Sequence, residues 1–402
     1  MSDDLHVVMM TGEYPPAQGG VGDYTALLAS HLVRQGARVT VVTRGNESLP
    51  GRDWKAARLS VLRVMGNWSF ASWPRLASVI DRTRPQLFQI QYQAAAYAMH
   101  PDVNLLPGYL RLRFPHLKVI TTFHDLREPY LFPKAGSLRR GVLRALDTLS
   151  HATVLTNQAD LQNLGGPGTQ RTPEERRRWL IPIGSNLECA PPAGYDRARW
   201  RRQIGADDDT LTVSYFGFMN GSKGVEFLVQ ALGLLAGRGL RCRLLIVGGE
   251  TGETDPTNRS YSQQIVRLIK SRRLEDQVYW TGFVSGEQVS AGLLSSDLCA
   301  LPFRDGASLR RGSLLAALVH GLPIVTTFPQ YPEPLLVDGE NVVMVDRDSP
   351  AALADALEQL WRNPAARERL VSGARALAER FQWTDIAARH HEMYETLARR
   401  ER

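Results

Sequence analysis

The sequence predicts an α/β protein of two doubly wound, Rossmann-like domains, each a parallel sheet covered by helices. Short apolar strands alternate with helical segments along most of the 402 residues. The alternation breaks at a stretch rich in Pro, Gly and Asn, and restarts near residue 210. Glycine-rich turns follow strands in both halves, where open α/β sheets bind ligands.

In the first half HVVMMT (6–11) precedes a Pro/Gly turn and the helix GDYTALLASHLVRQG (22–36). ARVTVVT (37–43), LFQIQY (87–92), KVITTFH (118–124) and ATVLTN (152–157) are the strands that follow. The second half opens with TLTVSYFG (210–217) and an amphipathic helix carrying Val225, Leu228, Val229 and Leu232 at helical spacing. RCRLLIVGG (241–249), QVYWTGFV (277–284), DLCALPF (297–303) and PIVTTF (323–328) are its further strands. From Pro350 onward the chain reads as helices. The break at IPIGSNLECAPPAGYD (181–196) divides the chain into domains at 1–183 and 184–381, and 163–176 reads as a surface loop.

Composition is that of an ordinary soluble protein, 43% hydrophobic and 22% charged. Cys189, Cys242 and Cys299 are odd in number and far apart, which argues against a disulfide framework or zinc site and fits a reducing cytoplasm. The N-terminus lacks the basic start and cleavage site of a signal peptide, and no apolar run reaches the ~20 residues of a spanning helix. The net charge of +7 comes mostly from arginine, densest at 138–149 and 174–179. The first of these segments is either a solvated helix face or a basic helix in peripheral contact with an anionic membrane. No basic–aromatic platform or finger pattern points to nucleic acid. Asp207-Asp208-Asp209 precedes a strand without partner ligands and reads as a solvated turn, so no metal is expected.

The turn GFMNGSKG places Gly217, Gly221 and Gly224 around Lys223, just before a helix. Free N–H groups, the positive end of a helix dipole and a compact cation suit a diphosphate. Only five of the 48 basic residues are lysine, so a lysine in this turn stands out. The spacing is not that of a Walker A loop. A second basic loop, FRDGASLRRGS, carries Arg304, Asp305, Arg310 and Arg311 before a helix whose first residues are Gly312 and Ser313. Its arginines could fork onto phosphate oxygens. In the first half, Gly19-Gly20 would let an anionic ligand approach a helix start, without the dinucleotide fingerprint. His124-Asp125 and Gln91-Tyr92-Gln93 end strands and could hydrogen-bond a polyhydroxylated ligand.

Together these pieces resemble the retaining glycosyltransferases of family 4, over nearly the whole chain. EYPPAQGGVGDYTALLASHL resembles the family's Gly-Gly loop and first helix, TFHDL its histidine strand, and FGFMNGSKG its diphosphate turn. The resemblance implies a GT-B fold, with the two domains facing across a cleft and the last helix, about 382–402, crossing back to the first domain. It implies His124 and Lys223 as catalytic, with Gly19, Gly20, Gly217, Phe218, Lys223, Ser308, Arg310, Arg311, Gly312 and Ser313 toward the donor. Glu13, Tyr14, Tyr92, Gln93 and Asp125 fall on the acceptor side. The implied partners are a nucleotide diphosphate sugar as substrate and a polyhydroxylated or lipid-linked acceptor, with no cofactor and no metal. The chain departs from the family pattern at Phe218, where an arginine is usual, and at Ser308 and Ala316, where paired glutamates are usual. Asp305-Gly306 could stand in for the first of these. Those departures keep two alternatives open: a glycosyltransferase-like binding protein without catalysis, and a GT-B sugar-nucleotide epimerase.

Overall fold

The computed structural model describes residues 5–17, 19–49, 51, 57–126, 137–165, 177–248 and 256–399. Most of the 163–176 loop and residues 174–176 of the second basic segment lie outside the described residues, as do Lys55 and Lys134. The chain forms two units, Met1–Gly184 with Trp383–Arg402, and Ser185–Gln382.

The first unit is a seven-stranded parallel sheet of β1 (His6–Thr11), β2 (Arg38–Arg44), β3 (Leu59–Met65), β4 (Leu87–Tyr92), β5 (Lys118–Phe123), β6 (Ala152–Leu155) and β7 (Arg178–Leu180). Its helices are α1 (Gly20–Arg34), α2 (Trp73–Thr83), α3 (Asp102–Arg113), α4 (Ser137–Leu149) and α5 (Gln158–Gly165). The strand order β3-β2-β1-β4-β5-β6-β7 reverses direction between β1 and β4. Ligands of open α/β sheets bind at such a switch point. Every residue of β1 and β4 is buried, as a sheet covered on both faces requires. The period of two divides them: Val8, Met10, Phe88, Ile90 and Tyr92 enter one core layer, and Val7, Met9 and Leu87 the other.

The second unit holds α6 (Arg197–Gln203), β8 (Leu211–Phe216), α7 (Val225–Gly237), β9 (Cys242–Val247), α8 (Pro256–Ser271), β10 (Val278–Trp280), α9 (Gly286–Leu294), β11 (Leu298–Leu301), α10 (Gly312–Val319), β12 (Ile324–Thr327), β13 (Val343–Val345), α11 (Pro350–Trp361) and α12 (Pro364–Ala378). Its sheet runs β10-β9-β8-β11-β12-β13, with the reversal between β8 and β11.

The last helix, α13 (Trp383–Arg399), belongs to the first unit and packs on α1. It buries Trp383, Ile386, Met393, Tyr394 and Leu397 in the core layer around Val7 and Met9. At ~1.5–3 kcal/mol per large apolar side chain, those five contribute on the order of 10 kcal/mol, as much as the whole stability of a typical domain. The first unit therefore depends on a segment almost 200 residues beyond its boundary.

Two sequence expectations change here. Helix α4, considered as a membrane-surface helix, buries Leu143 and Leu146 in the core of the first unit. The apolar face that would enter lipid is thus already used. Asp207 and Asp209 form a turn as expected, but are paired with Arg241 at 2.9 and 3.1 Å. Strands β3, β7 and β13 were not anticipated from the sequence. Among the described residues no helix is long and apolar enough to cross a membrane.

Where α6 meets the sheet of the second unit, Arg201 is buried. It pairs with Asp297 at 2.9 Å and donates to the carbonyls of Ser295, Asp207 and Thr210. Asp297 in turn accepts from Arg197 and from the Thr212 backbone N–H. Arg201→Ala would leave Asp297 with Arg197 and the Thr212 N–H but take the side-chain donor from the Ser295 and Thr210 carbonyls, so we expect a loss of about 1–3 kcal/mol, read as a lower urea midpoint for the second unit.

Candidate active site

In the second unit the turn after β8 and the loop after β11 lie against each other. Gly224 has φ of +66°, and a Cβ there would stand 2.1 Å from the Pro302 carbonyl oxygen. Glycine is required twice over, by backbone conformation and by close approach. The contact brings the Lys223 ammonium to 3.5 Å from the Ser313 hydroxyl and 5.1 Å from the centre of the Phe303 ring. The Arg311 guanidinium lies over the same ring at 4.1 Å. Gly217, at φ of +126°, closes the strand end beside Ser313.

Two cations on one ring oppose each other. Desolvation and then the Arg311 charge push the Lys223 pKa down to about 8, while Asp305 works in the other direction. Arg311 is itself lowered, chiefly by burial, and is ion-paired with Asp305. Its buried Nε has no partner. Helix α10 starts at this point with Arg311 as N-cap and no side-chain cap. Gly312 is exposed at its first position and Ser313 is buried at its second. A cation, a half-committed guanidinium and an uncapped helix terminus can together take an anion.

Several residues do not stand as the sequence suggested. The start of α7 was expected to offer free N–H groups. Instead the Tyr261 hydroxyl accepts from Val225 N at 2.9 Å and donates to the Glu226 carboxylate, which also pairs with Arg304 at 2.6 Å. The cap and the carboxylate make that terminus unsuited to phosphate, and Lys223 remains the cation of the turn. Arg311 is not an open fork, because Asp305 holds one arm through a single carboxylate oxygen. Ser308 donates to Glu333 at 2.8 Å, and the Leu309 N–H donates to the same oxygen at 3.3 Å. Ala316 is buried inside α10. Arg310 and Phe218 are exposed, and the Phe218 carbonyl accepts from the buried Tyr215 hydroxyl.

In the first unit, the turn after β1 is shaped by close approach. A Cβ on Gly12 would meet the Ala96 carbonyl oxygen at 2.3 Å, and one on Gly19 would meet the Glu13 carboxyl group at 2.1 Å. Glu13 Oε1 accepts from Val21 N at 3.1 Å and Gly22 N at 3.3 Å. The Gly19-Gly20 terminus, expected to receive an anionic ligand, thus already holds the chain's own carboxylate. Glu13 is therefore a helix cap, not an open acceptor contact. Burial raises its pKa against the two N–H bonds that lower it. Tyr14 is buried, with Arg63 over its ring at 5.9 Å. Tyr92 is a fully buried core residue that accepts from Asn104 and packs on Phe123. Gln93 is half-buried as the N-cap of the turn Ala94–Tyr97, and Asp125 is half-buried beside His124.

His124 stands at the carboxyl end of β5, with its backbone N bonded to the Tyr92 carbonyl. Its Nε2 donates to Gln91 Oε1 at 2.9 Å, which leaves Nδ1 as a lone pair. Desolvation holds its pKa down at about 3, so the imidazole is neutral at working pH. Sequence reasoning placed Gln91 near this point but missed Tyr24 and His390, which back the ring from α1 and α13.

Residues 18–161 match the model of Glycosyltransferase Family 4, and residues 210–363 that of Glycosyl transferases group 1. The chain belongs to the family 4 glycosyltransferases. It is 30% identical over 206 residues to the alpha-D-kanosaminyltransferase of Streptomyces kanamyceticus, a match spanning 51% of this chain and about half (50%) of that protein. Against the D-inositol 3-phosphate glycosyltransferase of Corynebacterium glutamicum it is 25% identical over 97% of this chain and 96% of the other. The sucrose-phosphate synthase structure from Thermosynechococcus elongatus superposes with a TM-score of 0.75 at 20% identity, covering 98% of this chain and 99% of that one. The fold is accordingly GT-B, with two Rossmann-like domains.

Because the lysine turn and the arginine loop meet at Gly224, Gly224→Ala should cost about 2 kcal/mol from its backbone alone. We expect a lowered melting temperature, read by scanning calorimetry.

Proposed function

We propose that this glycosyltransferase moves a sugar from a nucleotide diphosphate sugar to an acceptor hydroxyl, with retention of configuration and without a metal ion. The observation that carries the reading is the convergence of Lys223, Arg311 and the uncapped start of α10 on one spot of the second unit. A diphosphate placed there would satisfy the helix terminus and relieve the repulsion between the two cations. As the bond from sugar to phosphate breaks, negative charge grows on the departing oxygen. Lys223 and the α10 N–H groups stabilise it there, and their charge does the work a divalent cation would otherwise do.

Retention is supported by the state of His124. An inverting displacement needs a base with a pKa near the working pH to take the acceptor proton, and an imidazole held near 3 is poorly suited to that. In the proposed step the acceptor oxygen bonds to the anomeric carbon on the face the diphosphate leaves, and the acceptor proton passes to the departing diphosphate oxygen. His124 orients the donor sugar through hydrogen bonding. The donor binds the second unit and the acceptor the first. The name of the Corynebacterium relative, D-inositol 3-phosphate glycosyltransferase, favours a polyhydroxylated ring as acceptor.

A donor-binding protein without catalysis is favoured by one observation: no carboxylate side chain stands at Ser308 or Ala316, and Ala316 is buried. A screen of UDP-, GDP- and ADP-sugars with EDTA present separates the readings. Binding followed by slow hydrolysis supports transfer, and binding without any turnover supports the silent protein.

Lys223→Ala should lower turnover by about 10²–10³-fold, and full activity in that variant would sink the electrostatic reading. Lys223 is protonated below its pKa of about 8, so kcat/KM for the donor should fall as pH rises through that value. Lys223→Arg should remove the inflexion.

A further inference from the structure

We propose that His390, on the C-terminal helix, is a positioning residue for His124 and acts through Tyr24. The inference rests on the reading of His124 given above and extends it to a helix that this reading does not use.

Three rings from three elements meet behind the end of β5. The Tyr24 hydroxyl lies 3.1 Å from His390 Nε2, and the Tyr24 ring meets the His124 ring edge-on, with centroids 4.7 Å apart and planes at 75°. Tyr24 is also packed by Trp383, at 5.2 Å. His390 is fully buried, and its Nδ1 has no partner. Whichever of the two carries the shared proton, His390 Nε2 and the Tyr24 hydroxyl are hydrogen-bonded to each other. The same helix reaches the strands beneath: the Tyr394 hydroxyl donates to Gln89 Oε1, and Gln89 Nε2 donates to Thr122 at 2.7 Å. Gln89 and Thr122 lie on β4 and β5, the strands that lead to Gln91 and His124.

An imidazole is a poor choice if this position only fills space. A buried ring nitrogen without a partner is destabilising, and a phenylalanine of similar shape has no such nitrogen. What the imidazole adds is a hydrogen bond that fixes the Tyr24 hydroxyl and so the rotation of the Tyr24 ring. His124 is then held from two sides, by Gln91 through Nε2 and by the Tyr24 ring against its face or edge. A misplacement of ~1 Å at a reacting group can cost about a hundredfold in rate, so a support of this kind is worth keeping.

Deleting the helix would unfold the first unit, so the test uses point variants of the full chain. His390→Phe, His390→Gln and Tyr24→Phe are compared by melting temperature and by UDP, GDP and ADP binding. Hydrolysis of UDP-glucose, GDP-mannose and ADP-glucose, and ¹⁵N-histidine NMR of the His124 ring, complete the comparison. His390→Phe should melt close to the parent temperature, because relief at Nδ1 is offset by a Tyr24 hydroxyl left buried without a partner. It should bind nucleotide as before, lose about tenfold in turnover at saturating donor, and shift the His124 ring signals. His390→Gln, whose amide can donate to or accept from the Tyr24 hydroxyl in place of Nε2, should recover turnover. Unshifted His124 signals in a folded His390→Phe would overturn the positioning, as would turnover lost only in step with stability. If His390→Phe does not fold, Tyr24→Phe carries the same readouts. Full turnover in His124→Ala would instead overturn the catalytic reading of His124, and the NMR comparison would still decide the contact.

Discussion

Two positive charges held against one aromatic ring set the terms for the second unit. Lys223 and Arg311 arrive from different strand ends, and both lie on Phe303. Their repulsion is only partly met by Asp305, which is bonded to Arg311. Such an arrangement is unfavourable in isolation and becomes favourable when an anion arrives. The glycine at 224 exists because these two loops must touch. The strand order exists in the same sense, since the β8–β11 reversal puts both loops at one end of the sheet.

The chain treats its helix termini unequally, and the proposed site rests on that inequality. Glu13 closes α1, and Tyr261 with Glu226 closes α7. Helix α10 is left without a side-chain cap beside the two cations. Glycine-rich turns before helices are therefore a weak guide when taken singly. What separates a binding terminus from a satisfied one is whether another part of the chain already supplies the oxygen, and at two of these three termini it does.

Much of the architecture was legible, because parallel strands buried on both faces leave unbroken apolar runs such as HVVMMT and LFQIQY. Strand β3 escaped because LSVLRVM carries an interior arginine, and β7 and β13 because three residues give no period to read. The turn that carries Lys223 was legible from its glycines. The Asp305–Arg311 pair was not, since spacing cannot tell an arginine that faces a ligand from one that faces its own loop. Tyr92 was misread because it ends a strand. Alternation sends it into the core with Phe88 and Ile90, while Gln91 on the other face meets His124. Tyr24 and His390 are 366 positions apart, a distance over which no local pattern carries information.

If the half-buried Lys223 ammonium takes up a diphosphate, binding must be linked to proton uptake. Calorimetric titration of UDP, GDP and ADP at pH 8, repeated in buffers of different ionisation enthalpy, counts the protons taken up on binding. With a pKa of about 8 in the free protein, Lys223 is half protonated there, so binding should draw up roughly half a proton, and Lys223→Ala should abolish the uptake. Tight diphosphate binding with no proton uptake, or with the same uptake in Lys223→Ala, would contradict the account.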